Sequence, residues 1–337
     1  MQKICHVDDA QWESTVCEFN RKLLDDFLDN SAELSPKSRS AYKSNLRIWF
    51  VWVRDNLNNK REVDIKPLDF KRFQNWMINR NCSSADISNK RAAISSLNNY
   101  IEVYYEEEFP TFRNFINKSI KRPQKAFVHE KQPLSKAELS HMIDVLRERG
   151  ETQKLAYLLF TFSSGCRRAE SRQLMKDIVN ASPITKTKTI DCDDGTQAEV
   201  TVTTYLTPPI RCKGAGSAGK VRRLTFDERA MDAMKAWVEE RGGIDGDDCP
   251  YMFVTKRNGK YEQVGETCFN SWAKTTFEPI LGRRFHPHLL RESRATQAVV
   301  EDGKDINAVK NLLGHNSSET TEIYVIRNDD DDVVELF

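Results

Sequence analysis

The chain has 337 residues, enough for two domains that each bury a core, and 30% of them are charged. With 51 Lys and Arg against 50 Asp and Glu the net charge is only +1, so the overall balance does not announce a polyanion partner; eight cysteines without a CxxC pair argue against a zinc site or a disulfide framework. No stretch approaches the roughly 18 apolar residues of a membrane helix and the N-terminus lacks a signal-peptide core, so a soluble, cytoplasmic chain with no membrane association and reduced thiols is expected.

The charge is unevenly spread. Residues 1–36 hold 3 basic and 8 acidic side chains, 37–128 hold 18 and 9, 129–326 hold 29 and 28, and 327–337 hold 1 and 5. A basic middle between acidic ends is the asymmetry that suits binding a polyanion. Trp12, Val16, Phe19, Leu23, Leu24, Phe27 and Leu28 recur at helical spacing and predict one amphipathic helix over 13–33. Ser35-Pro36 is a cap followed by a first-turn proline, which opens a helix over 36–58. Its apolar stripe is Tyr42, Leu46, Trp49, Phe50 and Val53; Arg39, Lys43, Arg47 and Arg54 line another face, read either as a solvated row or as DNA contacts. Helices over 67–80 and 84–105 complete a helical domain of residues 1–116. Residues 117–133 are polar, basic and contain two prolines, as in a linker; Lys118, Lys121, Arg122 and Lys125 would be phosphate contacts if that linker crosses DNA.

Ser135 and Glu138 form a capping box flanked by Leu134 and Leu139, and open a second domain with helices to about 146 and over 152–163. Arg167 follows Gly165 on the turn into a helix expected to reach about 174. Residues 198–206 alternate as a strand and 221–226 read as its antiparallel partner. Asp227 caps a helix over 228–240. Three short helices are then predicted over 286–324. Pro287 fits the first turn of the first, His288 and Arg291 share a face of it, and Gly303 ends it. Asp305 caps the second, and Gly314 supplies its left-handed stop, leaving His315 just beyond. Ser317 or Ser318 caps the third, which carries Tyr324. Two imidazoles, a guanidinium and a phenol are thereby brought together, a set that suits chemistry on a phosphate. His286 and His288 have no third ligand spaced nearby, so no metal is expected. The acidic run at 329–332 makes 327–337 a solvated tail, with an apolar end able to dock elsewhere.

HxxR at 288–291, LGH at 313–315, a tyrosine nine residues after that histidine, and SSGCRRAE at 163–170 together resemble the tyrosine recombinase (phage integrase) family, of the simple Cre/Xer-like type. The resemblance is sharp over 155–175 and 286–326 and looser over 13–130; Arg168 and Ser171 depart from the family's usual apolar residue and leucine. It implies a mainly α, two-domain fold: an N-terminal helical core-binding domain (1–116), the linker (117–133), and a tyrosine recombinase catalytic domain (134–326) of mixed α/β character, mostly α with a small antiparallel sheet. The implied activity is site-specific recombination of double-stranded DNA through a 3′-phosphotyrosine and a Holliday junction, by a homo-tetramer on paired sites that is monomeric when free. No cofactor is implied, and the bound enzyme would sit with the nucleoid. The resemblance makes Tyr324 the nucleophile, Arg167 and Arg291 the phosphate-binding guanidiniums, His288 the proton acceptor, His315 a phosphate contact and Glu170 their support. IRCKGAGSAGKVRRLTF resembles the family's KG(x)nKxR hairpin, which points to Lys213 as the acid for the leaving oxygen; its spacing from Arg167 is longer than the family's, which makes ITKTKTIDCDDG an insertion, and Lys220 is the alternative, with Lys186 and Lys188 behind it. A type IB topoisomerase, a telomere resolvase or a catalytically idle DNA-binding regulator would share much of this pattern.

Overall fold

The computed structural model describes residues 7–116, 120–123, 132–191, 197–214, 219–244, 247–322 and 325. They fall into two compact units, one of residues before 131 and one formed mainly by the rest of the chain. In the first, side-chain caps set the helix starts. Ser35 Oγ accepts the Ser38 amide and Ser83 Oγ that of Asp86, each at 3.1 Å. The helices are α1 (Asp9–Thr15), α2 (Glu18–Asp29), α3 (Pro36–Asn56), α4 (Pro67–Asn79) and α5 (Ser84–Tyr104). The single helix expected over 13–33 is two. Val16 and Cys17 are extended, and Asn59 fills the break: its Oδ1 accepts the Cys17 amide at 3.0 Å and its Nδ2 donates to the Thr15 carbonyl at 2.9 Å. A polar side chain remote in sequence thus supplies what the helix would have.

Trp49, on α3, anchors this core. It meets the Phe73 ring edge-on at 4.8 Å and stacks on Trp52 at 5.6 Å, and its indole N–H donates to Glu62 Oε2 at 2.7 Å. Ring pairs of this kind are worth about 0.5–1.5 kcal/mol each beyond the area they bury. Burial pushes the Glu62 carboxyl up to about 8, against the opposing pull of the Trp49 bond, so it is neutral at pH 7.

The second unit is arranged about a helix buried on every side. α6 (Lys136–Glu148) begins with the Ser135–Glu138 capping box, both of its bonds formed. α7 (Thr152–Ser164) follows, and each residue from Leu155 to Ser164 is buried, Tyr157 stacking on Phe269 at 4.1 Å. α8 (Arg168–Ser171) is shorter than expected, because the chain after it enters extended pairing. Gln263 donates to the Arg172 carbonyl, the Met252 amide to that of Leu174, and Met175 bridges to Tyr251.

The expected insertion forms a strand. β1 (Ile184–Asp191) pairs antiparallel along its whole length with residues 197–204 of β2 (Gln197–Leu206). The expected partner strand over 221–226 is split between two sheets. β3 (Ile210–Cys212) and β4 (Lys220–Arg222) form a hairpin with Cys212 opposite Lys220, and only β5 (Thr225–Asp227) joins β2. Thr207 and Leu224 bond to each other where the chain changes sheets. α9 (Glu228–Gly242) is capped by Asp227, and β6 (Val254–Arg257) and β7 (Lys260–Gln263) make a second hairpin. α10 (Cys268–Trp272) and α11 (Glu278–Leu281) flank a π-helical turn. α12 (Pro287–Thr296) continues through another at Gln297–Glu301 and is followed by α13 (Ile306–Leu313) and α14 (Ser318–Glu322). The architecture is mainly helical with small antiparallel sheets.

Candidate active site

α7 ends at Gly165 (φ +58°), and the close approach of α13 requires glycine there: a Cβ would lie 2.5 Å from Leu313 Cδ2. The chain then turns through Cys166 to Arg167. The Arg167 amide donates to Glu170 Oε2 at 2.9 Å and its guanidinium to Oε1 at 3.1 Å, so the arginine is held at both ends by one carboxylate. Glu170 is 1% exposed. Burial pulls its pKa up, but the Arg167 amide and the charges of Arg222 and Arg167 outweigh that and hold it below the ordinary carboxylate range.

Arg222 is the residue the sequence reading passed over. From β4 it donates Nη2 to Glu170 Oε2 at 3.1 Å, Nη1 to the Leu312 carbonyl at 2.7 Å, and Nε to Cys212 Sγ at 3.3 Å. It thereby ties the hairpin to Glu170 and to the end of α13. Its signal was in view as the arginine of the KxR in that hairpin, where attention had gone to the lysines.

Arg291, on α12, is wholly buried. It donates Nη1 to the Gly165 carbonyl at 2.5 Å and Nη2 both to the Leu313 carbonyl at 2.9 Å and to His315 Nε2 at 2.6 Å. A guanidinium has no acceptor, so His315 Nε2 must be unprotonated here. The proton is then on Nδ1, which donates to Thr321 Oγ1 at 2.9 Å. His315 is held neutral. Burial, then the charges of Arg291, Arg167, Arg222 and His288, press its pKa down to about 4. His288 is half-buried, one turn before Arg291.

The structure thus brings Arg167, Glu170, His288, Arg291 and His315 together. Tyr324 lies outside the described residues. Lys213 is exposed just past β3. Lys220 opens β4 and donates to Asn316 Oδ1 at 3.3 Å, beside His315. Lys186 is exposed on β1, and the side chain of Lys188 is outside the described set. Among the described residues no three His, Cys, Asp or Glu side chains converge as a metal site.

Comparison with known proteins decides the family. The phage integrase family model matches residues 132–330. The chain belongs to the phage integrase family. The SPbeta prophage-derived recombinase-like protein YomM of Bacillus subtilis (strain 168) is 30% identical over 340 residues, covering 99% of this chain and 95% of that one. Tyrosine recombinase XerC of Pseudomonas putida (strain W619) is 35% identical over 109 residues, about a third of each chain. Two solved structures share the fold. The Tn1549 transposon integrase in complex with circular intermediate DNA has a TM-score of 0.63 at 15% identity, covering 94% of this chain and 99% of that one. The XerH site-specific recombinase bound to a palindromic difH substrate also scores 0.63, at 18% identity, covering 94% and 88%. This integrase-family chain is accordingly a DNA strand cleaving and rejoining enzyme.

In the N-terminal unit of the enzyme the expected basic row on α3 is divided. Arg47 is 9% exposed, pairs with Asp9 at 2.6 Å and lies over the Trp12 ring. Arg54 bonds Asp55 and Thr15. Both face α1, bonding Asp9 and Thr15 there. Arg39 donates to the Ser31 carbonyl, and Lys43 is exposed. Lys121 and Arg122 are exposed and line a groove with Ser88, Arg91 and Ser95 of α5. Burial, and then the charge of Arg122, hold the Arg91 pKa below the usual guanidinium value, and its Nη1 donates to Gln74 Oε1 at 3.2 Å. Lys118 and Lys125 lie outside the described residues, and among the described helices none is long and apolar enough to cross a membrane.

Proposed function

We propose that this enzyme is a site-specific recombinase that acts on paired double-stranded DNA sites through Tyr324. The phenolic oxygen attacks the scissile phosphorus and becomes the 3′-phosphotyrosine ester, while the 5′-oxygen leaves with a proton. Attack by a 5′-hydroxyl from the partner strand reverses the step and yields a Holliday junction. No external energy source is needed, because the phosphoester bond is retained. The supporting observation is that Arg167 and Arg222 share the single carboxylate of Glu170, while Arg222 and Arg291 bond the successive carbonyls of Leu312 and Leu313 and Arg291 also bonds His315. Fixed donors of this kind stabilise the extra charge on a five-coordinate phosphorus, and losing one typically costs about 3–4 kcal/mol of barrier. Arg167 and Arg291 hold the non-bridging oxygens, bidentate donors that never lose charge. His288 takes the tyrosine proton, Glu170 holds Arg167, His315 contacts a phosphate oxygen, and Lys213 is the acid for the leaving group.

Residues 1–116 act as the DNA-clamping domain, with Arg39 and Lys43 toward the phosphates, 117–133 as the linker, where Lys121 and Arg122 take the same role, and 134–326 as the catalytic domain. Four protomers assemble on two sites from free monomers, working in the cytoplasm on the nucleoid. A nicked suicide duplex, selected from a random pool, tests this on denaturing gels. Wild type leaves a covalent protein–DNA adduct, and Tyr324→Phe leaves none while still retarding the duplex. An adduct formed by Tyr324→Phe, or no adduct from wild type on a duplex that it binds, refutes the assignment. Relaxation of supercoils by a monomer without paired sites would instead favour a topoisomerase.

A further inference from the structure

In the free protein the lone pair of His315 Nε2 is taken by Arg291, yet a phosphate oxygen is an acceptor and can be met only by an Nε2–H. The imidazole must therefore exchange tautomers when DNA enters, with the proton leaving Nδ1 and appearing on Nε2. Whatever faces Nδ1 has to tolerate both states. The group there is the hydroxyl of Thr321, on α14, whose side chain is wholly buried. A carbonyl in that place would accept only and lock the Nδ1–H form; an amide N–H would lock the other. A hydroxyl does either, by rotating its hydrogen. Ser317 Oγ accepts the Thr320 amide and starts α14 so that Thr321 turns inward.

We propose that Thr321 is a positioning residue for His315, its hydroxyl accepting from Nδ1–H in the free protein and donating to Nδ1 when the imidazole turns its Nε2–H to the phosphate. The inference rests on the active-site reading above. Without the hydroxyl, the imidazole loses the Thr321 bond in both states, and the exchange lacks the group that follows it.

The test compares Thr321→Val, which keeps the shape, with Thr321→Ser, which keeps the hydroxyl. In single-turnover cleavage of the suicide duplex, Thr321→Val is expected to be about tenfold slow at unchanged DNA affinity, the scale of one ordinary hydrogen bond, with a melting temperature lowered by the bond lost from the free protein. Thr321→Ser is expected to match wild type within about threefold. In a His315→Ala background the valine substitution should cost almost nothing further, because its target is gone. A rate for Thr321→Val equal to wild type overturns the proposal, as does a serine variant as slow as the valine one, or an undiminished tenfold loss without His315. Proton NMR of the free protein reads the bond without any turnover: a slowly exchanging imidazole Nδ1–H is expected in wild type and Thr321→Ser and absent in Thr321→Val. If wild type forms no adduct but this resonance behaves as stated, the active-site reading fails while the Thr321–His315 pairing stands; the resonance persisting in Thr321→Val removes the pairing itself.

Discussion

Gly314 offers a direct measure of how tightly the site is built. It ends α13 at φ +68°, where any other L residue is strained by about 1–2 kcal/mol. A Cβ there would also lie 2.9 Å from three atoms of the Arg222 guanidinium. That group ends a flexible side chain, so it can move aside, but only by leaving Glu170 and the Leu312 carbonyl. A charge-assisted hydrogen bond is worth about 1.5–3 kcal/mol, so Gly314→Ala should cost roughly 2 kcal/mol more than backbone strain alone. Gly282 supplies the control, since its φ is +73° with nothing within 4 Å of the added carbon. Urea unfolding of both variants isolates the difference, and single-turnover cleavage should fall about 100-fold for Gly314→Ala, as for loss of one transition-state donor, and not for Gly282→Ala. Equal stability losses, or full cleavage by Gly314→Ala, would show that Arg222 does not need its place against that glycine.

Glu62 predicts a pH dependence. Its folded pKa, about 8, is above its ordinary value of 4.5, so its contribution to stability is fully present below pH 4.5 and is lost as pH rises through 8. The stability of wild type relative to Glu62→Gln should fall over that window by about 1.4 kcal/mol per pH unit, and a constant difference would deny the buried neutral acid. Arg122→Gln should lower the slope of log affinity for DNA against log salt by about 0.9, whereas Arg47→Gln should leave the slope alone and lower the melting temperature; the reverse pattern would restore the α3 row as the contact surface. Lys213→Ala should cleave a duplex with a 5′-bridging sulfur, whose departure needs no proton, at nearly the wild-type rate; if Lys220→Ala is rescued instead, the acid is the lysine beside Asn316.

Much of the site was legible because local rules fixed it. Pro287, Asp305 and Gly314 punctuate the chain at the points where the helices begin and end, and the motifs naming Arg167, His288, Arg291 and His315 sit at those corners. What escaped depended on contacts between distant segments. The break at Val16–Cys17 is sustained by Asn59, and Arg47 looked solvated until α1 covered it. The strand beginning at Ile184 is largely exposed and lacks the apolar alternation that marks a buried face, so only the long spacing between Arg167 and Lys213 singled it out, as an insertion. Arg222 carried a motif signal, but its role arises only where β4, Glu170 and the end of α13 meet.

Arg291 stands between two backbone carbonyls, one at Gly165 and one at Leu313, contributed by helices that the ribosome makes far apart in time. The arginine is aimed only after both have been synthesised and have docked. A polypeptide that stops short of Leu313 therefore has only one of the two carbonyl anchors that hold this guanidinium.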